Sequence, residues 1–366
     1  MEQRKSAVED MERLNIYNNK RILVTGHTGF KGSWLTLWLL ELGAEVTGYA
    51  LPPSTKPDLF GTLNLSKRIN HITGDIRDFT KLKKSIKRHK PDAVIHMAAQ
   101  PLVRRSYLEP KYTYEVNVLG TVNVLDAVRQ TNTVRAVINV TSDKCYENKE
   151  QVAGYKETDP MGGYDPYSSS KGCAELVTAA YIKSFFNPDK YKSHGVAVAS
   201  VRAGNVVGGG DWSKDRLIPD CIRALTKNKP IVIRNPYAIR PWQYVLEPLY
   251  GYLLLGSHLL KEETKYIGAW NFGPNKSNIV PVETVVKKII NVWGKGNYRI
   301  IPDKKLHEAT LLNLDIAKSK ALLKWQPRMN IADTLENTIN WYKAFYSGSI
   351  NMLPETLGQI RGYYGK

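Results

Sequence analysis

Cysteine is nearly absent. The three in 366 residues, Cys145, Cys173 and Cys221, are too widely spaced for a CxxC pair or a metal-ligand set. A disulfide framework is excluded, and free thiols in a reducing compartment are expected. The seven histidines hold no HExxH and no close pair, so no metal is expected. Long apolar runs are missing too. The longest, Trp34–Leu40 and Tyr252–Leu255, fall far short of the roughly 20 residues of a membrane helix. The leader carries Glu2, Arg4, Lys5, Glu9 and Asp10 instead of the apolar stretch of a signal peptide, which points to a cytoplasmic protein without a membrane partner. Acidic residues are the scarce charge: 34 against 52 basic ones leaves +18, which favours anionic partners. The basic residues are spread along the chain with no RNP-type or helix-turn-helix signal, so a nucleic-acid partner is not expected. With 42% hydrophobic and 23% charged residues, neither disorder nor a coiled coil fits the composition.

What is present is an alternation. Short β-type runs at 21–26, 45–50, 70–76, 93–99, 135–142 and 196–204 are separated by helical stretches at 79–89, 111–130 and 167–185. Such spacing predicts an α/β fold, a Rossmann-type doubly wound parallel sheet. Beyond Gly208 the segment 208–245 is rich in Gly, Pro, Arg, Asn and Trp and reads as a ligand-contacting loop region. Helical periodicity returns at 246–260, 282–293, 315–324 and 331–346. The division predicted is a nucleotide-binding domain over 18–205 and a smaller mixed α/β substrate domain over 206–366, with segments of the two interleaved.

The first strand runs into Gly26-His27-Thr28-Gly29-Phe30-Lys31-Gly32, a GxxGxxG spacing that opens a helix. Glycines allow the tight turn and close backbone approach, and the helix N-terminus attracts a pyrophosphate. The acidic residue that commonly grips the adenosine ribose is missing: the second strand ends in Tyr49-Ala50-Leu51-Pro52-Pro53. That site therefore does not discriminate NAD from NADP. Asp75, followed by Ile76 at the end of the third strand, is the candidate for the adenine amino group.

Tyr167-Ser168-Ser169-Ser170-Lys171 begins a helix after Asp165-Pro166. Residues four apart share a helical face, so the Lys171 ammonium is expected beside the Tyr167 phenol. Lowering a phenol from about 10 toward 7 requires roughly 4 kcal/mol of differential stabilisation. The lysine and a cofactor's positive ring are the expected sources. Ser142, in the Thr141-Ser142-Asp143 strand end, is placed to bond the same substrate hydroxyl.

Taken together, the glycine loop, Gln100 in HMAAQ, Asn117 in VNVLGT, the TSD strand end and YSSSK resemble the extended short-chain dehydrogenase/reductase family over nearly the whole chain. Within it, GHTGFKGSWL, TSDKCYENKE, NVVGGGDW, DRLIPD and RNPYAIRPWQYVLEPLYGYLLL are similar to the CDP-glucose 4,6-dehydratase branch. The resemblance implies NAD as cofactor, held by Gly26, Thr28, Gly29, Phe30, Lys31, Gly32, Asp75, Ile76, Ala98, Ala99, Gln100, Asn117, Tyr167 and Lys171. It implies CDP-glucose as substrate and a three-step reaction: oxidation at C4 with Tyr167 as base, loss of water across C5 and C6, and return of the hydride to C6. Related dTDP-glucose dehydratases hold Asp-Glu after the TS strand end. Here stand Asp143, the candidate acid, and Lys144, a candidate base at C5 whose alternatives are enolate stabiliser or surface residue.

Candidates for the substrate are Gln100, Arg104, Ser142, Asn205, Arg216, Arg234, Arg240, Trp242 and His307, with Tyr237 as a second stacking ring. His96 on a core strand reads as a packed histidine, and the basic stretch 81–90 as a solvated helix face. Cys145, beside Lys144, is a candidate for a lowered thiol pKa. A nucleotide-sugar 4-epimerase shares the fold, NAD and YxxxK, but needs no acid at residue 143. The resemblance also implies a homodimer or homotetramer built on helices at about 107–130 and 167–185, and a place in supplying deoxyhexoses to lipopolysaccharide O-antigen.

Overall fold

The computed structural model describes residues 12–151, 153–302, 312–348 and 351–364. Its centre is a seven-stranded parallel sheet. The strands are β1 (Arg21–Thr25), β2 (Glu45–Ala50), β3 (Asn70–Thr73), β4 (Ala93–His96), β5 (Ala136–Val140), β6 (Ala197–Ala203) and, after three short strands described below, β10 (Gly268–Phe272). Their order is β10-β6-β5-β4-β1-β2-β3. Runs such as Ala-Val-Ile-Asn-Val in β5 and Ala-Val-Ala-Ser-Val-Arg-Ala in β6 are buried throughout, as strands covered on both faces must be.

The covering follows side-chain alternation. Leu23, Val94, Val137 and Val198 pack under the helices Phe79–His89, Gly120–Arg129 and Pro166–Ser184. Ile22, Val24, Ile95, Ile138 and Ala199 face the other way, toward the helices Phe30–Glu41 and Leu246–Leu260. A Rossmann-type doubly wound α/β sheet is what the strand–helix alternation predicts. The second half of the chain is woven into it: Trp270 of β10 pairs in register with Val201 of β6.

Segment 208–245 differs from the loop region expected. It contains the helix Leu217–Leu225 and the strands β8 (Ile231–Ile233) and β9 (Ile239–Tyr244). Ile218, Cys221, Ile222 and Leu225 are buried at helical spacing, a stripe that the surrounding Gly, Pro and Arg obscured. β9 lies between β7 (Asn205–Val207) and β11 (Ile279–Pro281) in a small mixed sheet, and β8 pairs with β12 (Tyr298–Ile300) in a separate two-stranded parallel one. A helix absent from the sequence expectation, Met352–Tyr364, packs on Phe30–Glu41, where the Trp38 indole donates to the Tyr364 hydroxyl at 2.5 Å. Among the described residues no helix is long and apolar enough to cross a membrane.

Candidate active site

Strand order reverses at β1, which is flanked by β2 on one side and β4 on the other. The crevice at the carboxyl ends of such strands is where α/β sheets bind ligands. The glycine loop fills it. Gly26 has φ +73°, and a Cβ there would meet the Ala98 nitrogen at 2.7 Å; one at Gly32 would strike the Gly26 carbonyl oxygen. Gly29 is the N-cap of Phe30–Glu41 with no capping side chain, which leaves the first-turn amides for an anion. These features fit the pyrophosphate of a dinucleotide.

Around the loop, the Thr28 hydroxyl donates to the Leu51 carbonyl at 2.8 Å, and Ala98 and Ala99 continue β4 past the loop. Ile76 is buried against Gly120. Asp75 stands at the far rim, paired with Arg77 at 2.7 Å, and this guanidinium holds its carboxyl below the usual range.

The catalytic candidates converge from two elements. Ser142 ends the β5 extension and caps a short turn, its Oγ accepting from the Lys144 amide at 3.2 Å and donating to Asp143 Oδ1 at 3.0 Å. Tyr167 and Lys171 lie on Pro166–Ser184, a helix that starts where Asp165 caps the Ser168 amide at 2.9 Å and Pro166 presets the first turn. The Ser142 hydroxyl and the Arg216 charge pull the Tyr167 phenol down, and the Asp143 carboxylate pushes it up. Lys171 donates to the Val140 carbonyl at 3.2 Å.

Protonation differs from expectation at Tyr167. Burial pushes the phenol up to about 12, outweighing the opposing effects of Ser142 and Arg216. Burial also lowers Lys171, to about 8, against the pull of Glu175. The protein's own groups therefore do not bring the phenol near 7: this lysine serves the strand end and is itself desolvated. Asp143 is fully buried, and desolvation raises its carboxyl despite Lys144 and Arg240 nearby, which suits a proton donor. Lys144 is half-buried beside it. Cys145 departs from expectation in the opposite sense: burial raises its thiol well above the ordinary value, so it is inert.

Lys31 reaches the same pocket. Burial, then the charges of Lys171 and Arg216, lower it to about 7, while Asp143 opposes the shift, and the ammonium stands 5.7 Å over the Tyr252 ring. Arg216 is paired with the buried Asp211 at 2.9 Å. Thus Lys31, Ser142, Asp143, Tyr167, Lys171, Arg216 and Arg240 share one electrostatic neighbourhood.

Other candidates are placed differently. The Gln100 amide is engaged inside its own loop, donating to the Leu102 carbonyl and the Thr113 hydroxyl and accepting from the Leu102 amide. Asn117 ties that loop to Ser170, from a widened helical turn, Glu115–Leu119. Both hold the site's frame. Trp242 is buried, its indole donating to the Val280 carbonyl, so it is a core residue rather than a stacking platform; Tyr237, 80% exposed, remains open. Arg234 and Arg104 converge on Asp215 at the rim, at 3.1 and 3.9 Å. Asn205 lies in β7 opposite Trp242. His307 lies outside the described residues. His96 is packed, within 2.7 Å of the Thr25 hydroxyl and held neutral by burial. Sequence reasoning missed Asp211, although it stands five residues before the arginine it pairs with.

The sequence profile of the family described as GDP-mannose 4,6 dehydratase matches residues 23–338. The chain belongs to this family. A relative from Salmonella typhimurium, named CDP-glucose 4,6-dehydratase, is 53% identical over 91% of this chain and 93% of its own. A dTDP-glucose 4,6-dehydratase of Streptomyces antibioticus is 27% identical over 88% and 92%. Among solved structures, DesIV, the dTDP-glucose 4,6-dehydratase of Streptomyces venezuelae with NAD and TYD bound, superposes with a TM-score of 0.76. It is 23% identical and aligned over 91% of this chain and 99% of that one, so its likeness is one of fold.

Proposed function

We propose that this 4,6-dehydratase family member is an NAD-dependent hydro-lyase that converts CDP-glucose to CDP-4-dehydro-6-deoxyglucose and water. The observation that carries the reading is the buried Asp143 within the Ser142–Lys144 turn, its carboxyl pushed upward by desolvation and close enough to act on Tyr167. An epimerase needs no such acid. The choice of nucleotide rests on the 53% identical relative.

The dinucleotide, when bound, supplies the ring that accepts and gives back two electrons, together with its positive charge. Gly26, Gly29 and Gly32, at the uncapped helix terminus, would hold its pyrophosphate. Tyr167 takes the C4 hydroxyl proton, with Ser142 orienting both hydroxyls and Lys171, Arg216 and the cofactor's charge stabilising the phenolate. The C4 ketone acidifies the C5 proton, Lys144 removes it, and Asp143 protonates the departing C6 hydroxyl. Arg216, Arg234 and Arg240 take the diphosphate, Arg104 and Asn205 the sugar side, and Tyr237 the base. Homodimers or homotetramers, cytoplasmic location and supply of deoxyhexoses to lipopolysaccharide O-antigen complete the reading.

Incubation with CDP-glucose tests it. A 4-keto-6-deoxy product that absorbs near-ultraviolet light in alkali is expected; a 4-epimer without that absorbance contradicts it. Loss of C5 solvent-deuterium exchange in Lys144→Ala, on a 4-keto analogue, is expected of the base role, and unimpaired exchange removes that role.

A further inference from the structure

Under the catalytic turn lies an ion pair that no step above uses. Glu175 and Arg202 are each 4% exposed at the side chain and 2.7 Å apart. Glu175 stands one helical turn beyond Lys171 on Pro166–Ser184 and accepts from the hydroxyl of Thr141, as well as from Ser200 Oγ at 2.6 Å. Arg202 of β6 donates to the Tyr146 hydroxyl at 2.5 Å, and its guanidinium lies 4.8 Å from that ring's centre. The Tyr146 hydroxyl donates onward to Asn271 of β10 at 2.8 Å. Thr141 and Tyr146 bracket the catalytic turn, one before Ser142 and one after Lys144-Cys145.

We propose that the Glu175–Arg202 pair is a two-ended clamp whose function is to position Ser142, Asp143 and Lys144 against Tyr167. Burying two charges is costly, and a well-packed apolar pair would serve stability as well or better. What such a pair gives is direction. Each ion still has hydrogen-bonding capacity after meeting its partner, and besides Ser200 and the Glu157 carbonyl that capacity reaches Thr141 and Tyr146, the two residues flanking the turn. A displacement of about 1 Å in such groups slows catalysis about 100-fold. Thr141, Tyr146, Glu175 and Arg202 are positioning residues, acting through the turn.

The clamp rests on the dehydratase reading for its kinetic consequences but not for its structural ones, so both are measured on the full chain. Replacing Glu175 or Arg202 alone would strand a buried charge. Thr141→Val and Tyr146→Phe instead remove one hydroxyl each and keep shape and stacking. In both, amide exchange across 142–146, which needs no substrate, rises by about 10-fold or more while exchange in β1 and β4 is unchanged. With CDP-glucose, kcat falls by about 10-fold or more at a KM within about threefold of the wild type, and Thr141→Ser restores it. In a single turnover Tyr146→Phe accumulates reduced nicotinamide, since the elimination side of the turn is the one released.

Unchanged amide exchange in both variants overturns the clamp whether or not CDP-glucose is turned over. So does a Thr141→Ser variant as slow as Thr141→Val. A wild-type chain that binds NAD but never turns over CDP-glucose contradicts the dehydratase reading alone, and the exchange measurement still decides the clamp.

Discussion

The glycine loop and the Thr141–Lys144 turn lie on neighbouring parts of one sheet edge and are built on opposite principles. The loop is made of backbone: its function is space and amide groups, and its side chains count mainly where a Cβ would intrude, at Gly26 and Gly32. The turn is made of side chains, whose hydroxyl, carboxyl and amine positions depend on Glu175, Arg202, Asn271 and Arg216, all of them more than 30 residues away in sequence. Chemistry borrowed from the backbone is recorded in a short local string. Chemistry assembled from side chains is recorded only in part, because the supporting partners arrive with the fold.

The two regions should therefore fail differently. The largest effect belongs to Tyr167→Phe, which should lower kcat about 1,000-fold with the nicotinamide nucleotide still bound, read by turnover and by the cofactor content of the purified protein. Asp143→Asn keeps shape and loses the proton; a fall of about 100-fold in product formation, with reduced nicotinamide accumulating, is expected in single-turnover absorbance. Gly32→Ala should do the reverse. Its methyl collides with the Gly26 carbonyl, so cofactor affinity drops about 10-fold or more in titrations while CDP binding is retained. If Gly32→Ala and Asp143→Asn gave the same pattern, the contrast between backbone and side-chain sites would be lost.

A pH profile sharpens the contrast. Lys171, lowered by burial to about 8, is charged below that pH and neutral above it, so turnover should decline as pH rises through about 8. The titration of Lys171 does not itself destabilise the fold over that range. Between about 8 and the ordinary 10.5 the unfolded chain binds more protons at this lysine than the folded one, so the group's contribution to stability rises with pH. Thermal melts over the same range separate the two. The smallest effect is at the rim: Tyr237→Ala, at an exposed ring, should raise the KM for CDP-glucose about threefold and leave kcat unchanged.

Much of the fold was legible because it repeats local patterns. β-type runs, buried for the most part except in β3, and helical periodicity marked β1 to β6 and the helices at 79–89, 246–260 and 282–293. What escaped depends on distance or on short elements. β10 reads as a strand only beside β6, and three-residue strands carry too little periodicity to be seen. In the site, YSSSK and TSDK were legible as strings, whereas the direction of Lys171 toward Val140 was not, since one helical face offers the ammonium two destinations. Trp242 looked like a stacking ring because its neighbours are arginines and tyrosines; β9 is buried without a break from Pro241 to Tyr244, which encloses the ring instead. Glu175 stands four residues after Lys171, a helical spacing that could have flagged it, but its partner Arg202 lies 27 residues on.

The central claim is that two electrons taken from C4 of the sugar are kept inside the protein and returned to C6 of the same molecule. CDP-glucose carrying deuterium at C4 tests it directly. The account predicts a 4-keto-6-deoxy product with that deuterium in its C6 methyl group; deuterium retained at C4, or lost to solvent while the methyl group carries none, would contradict it.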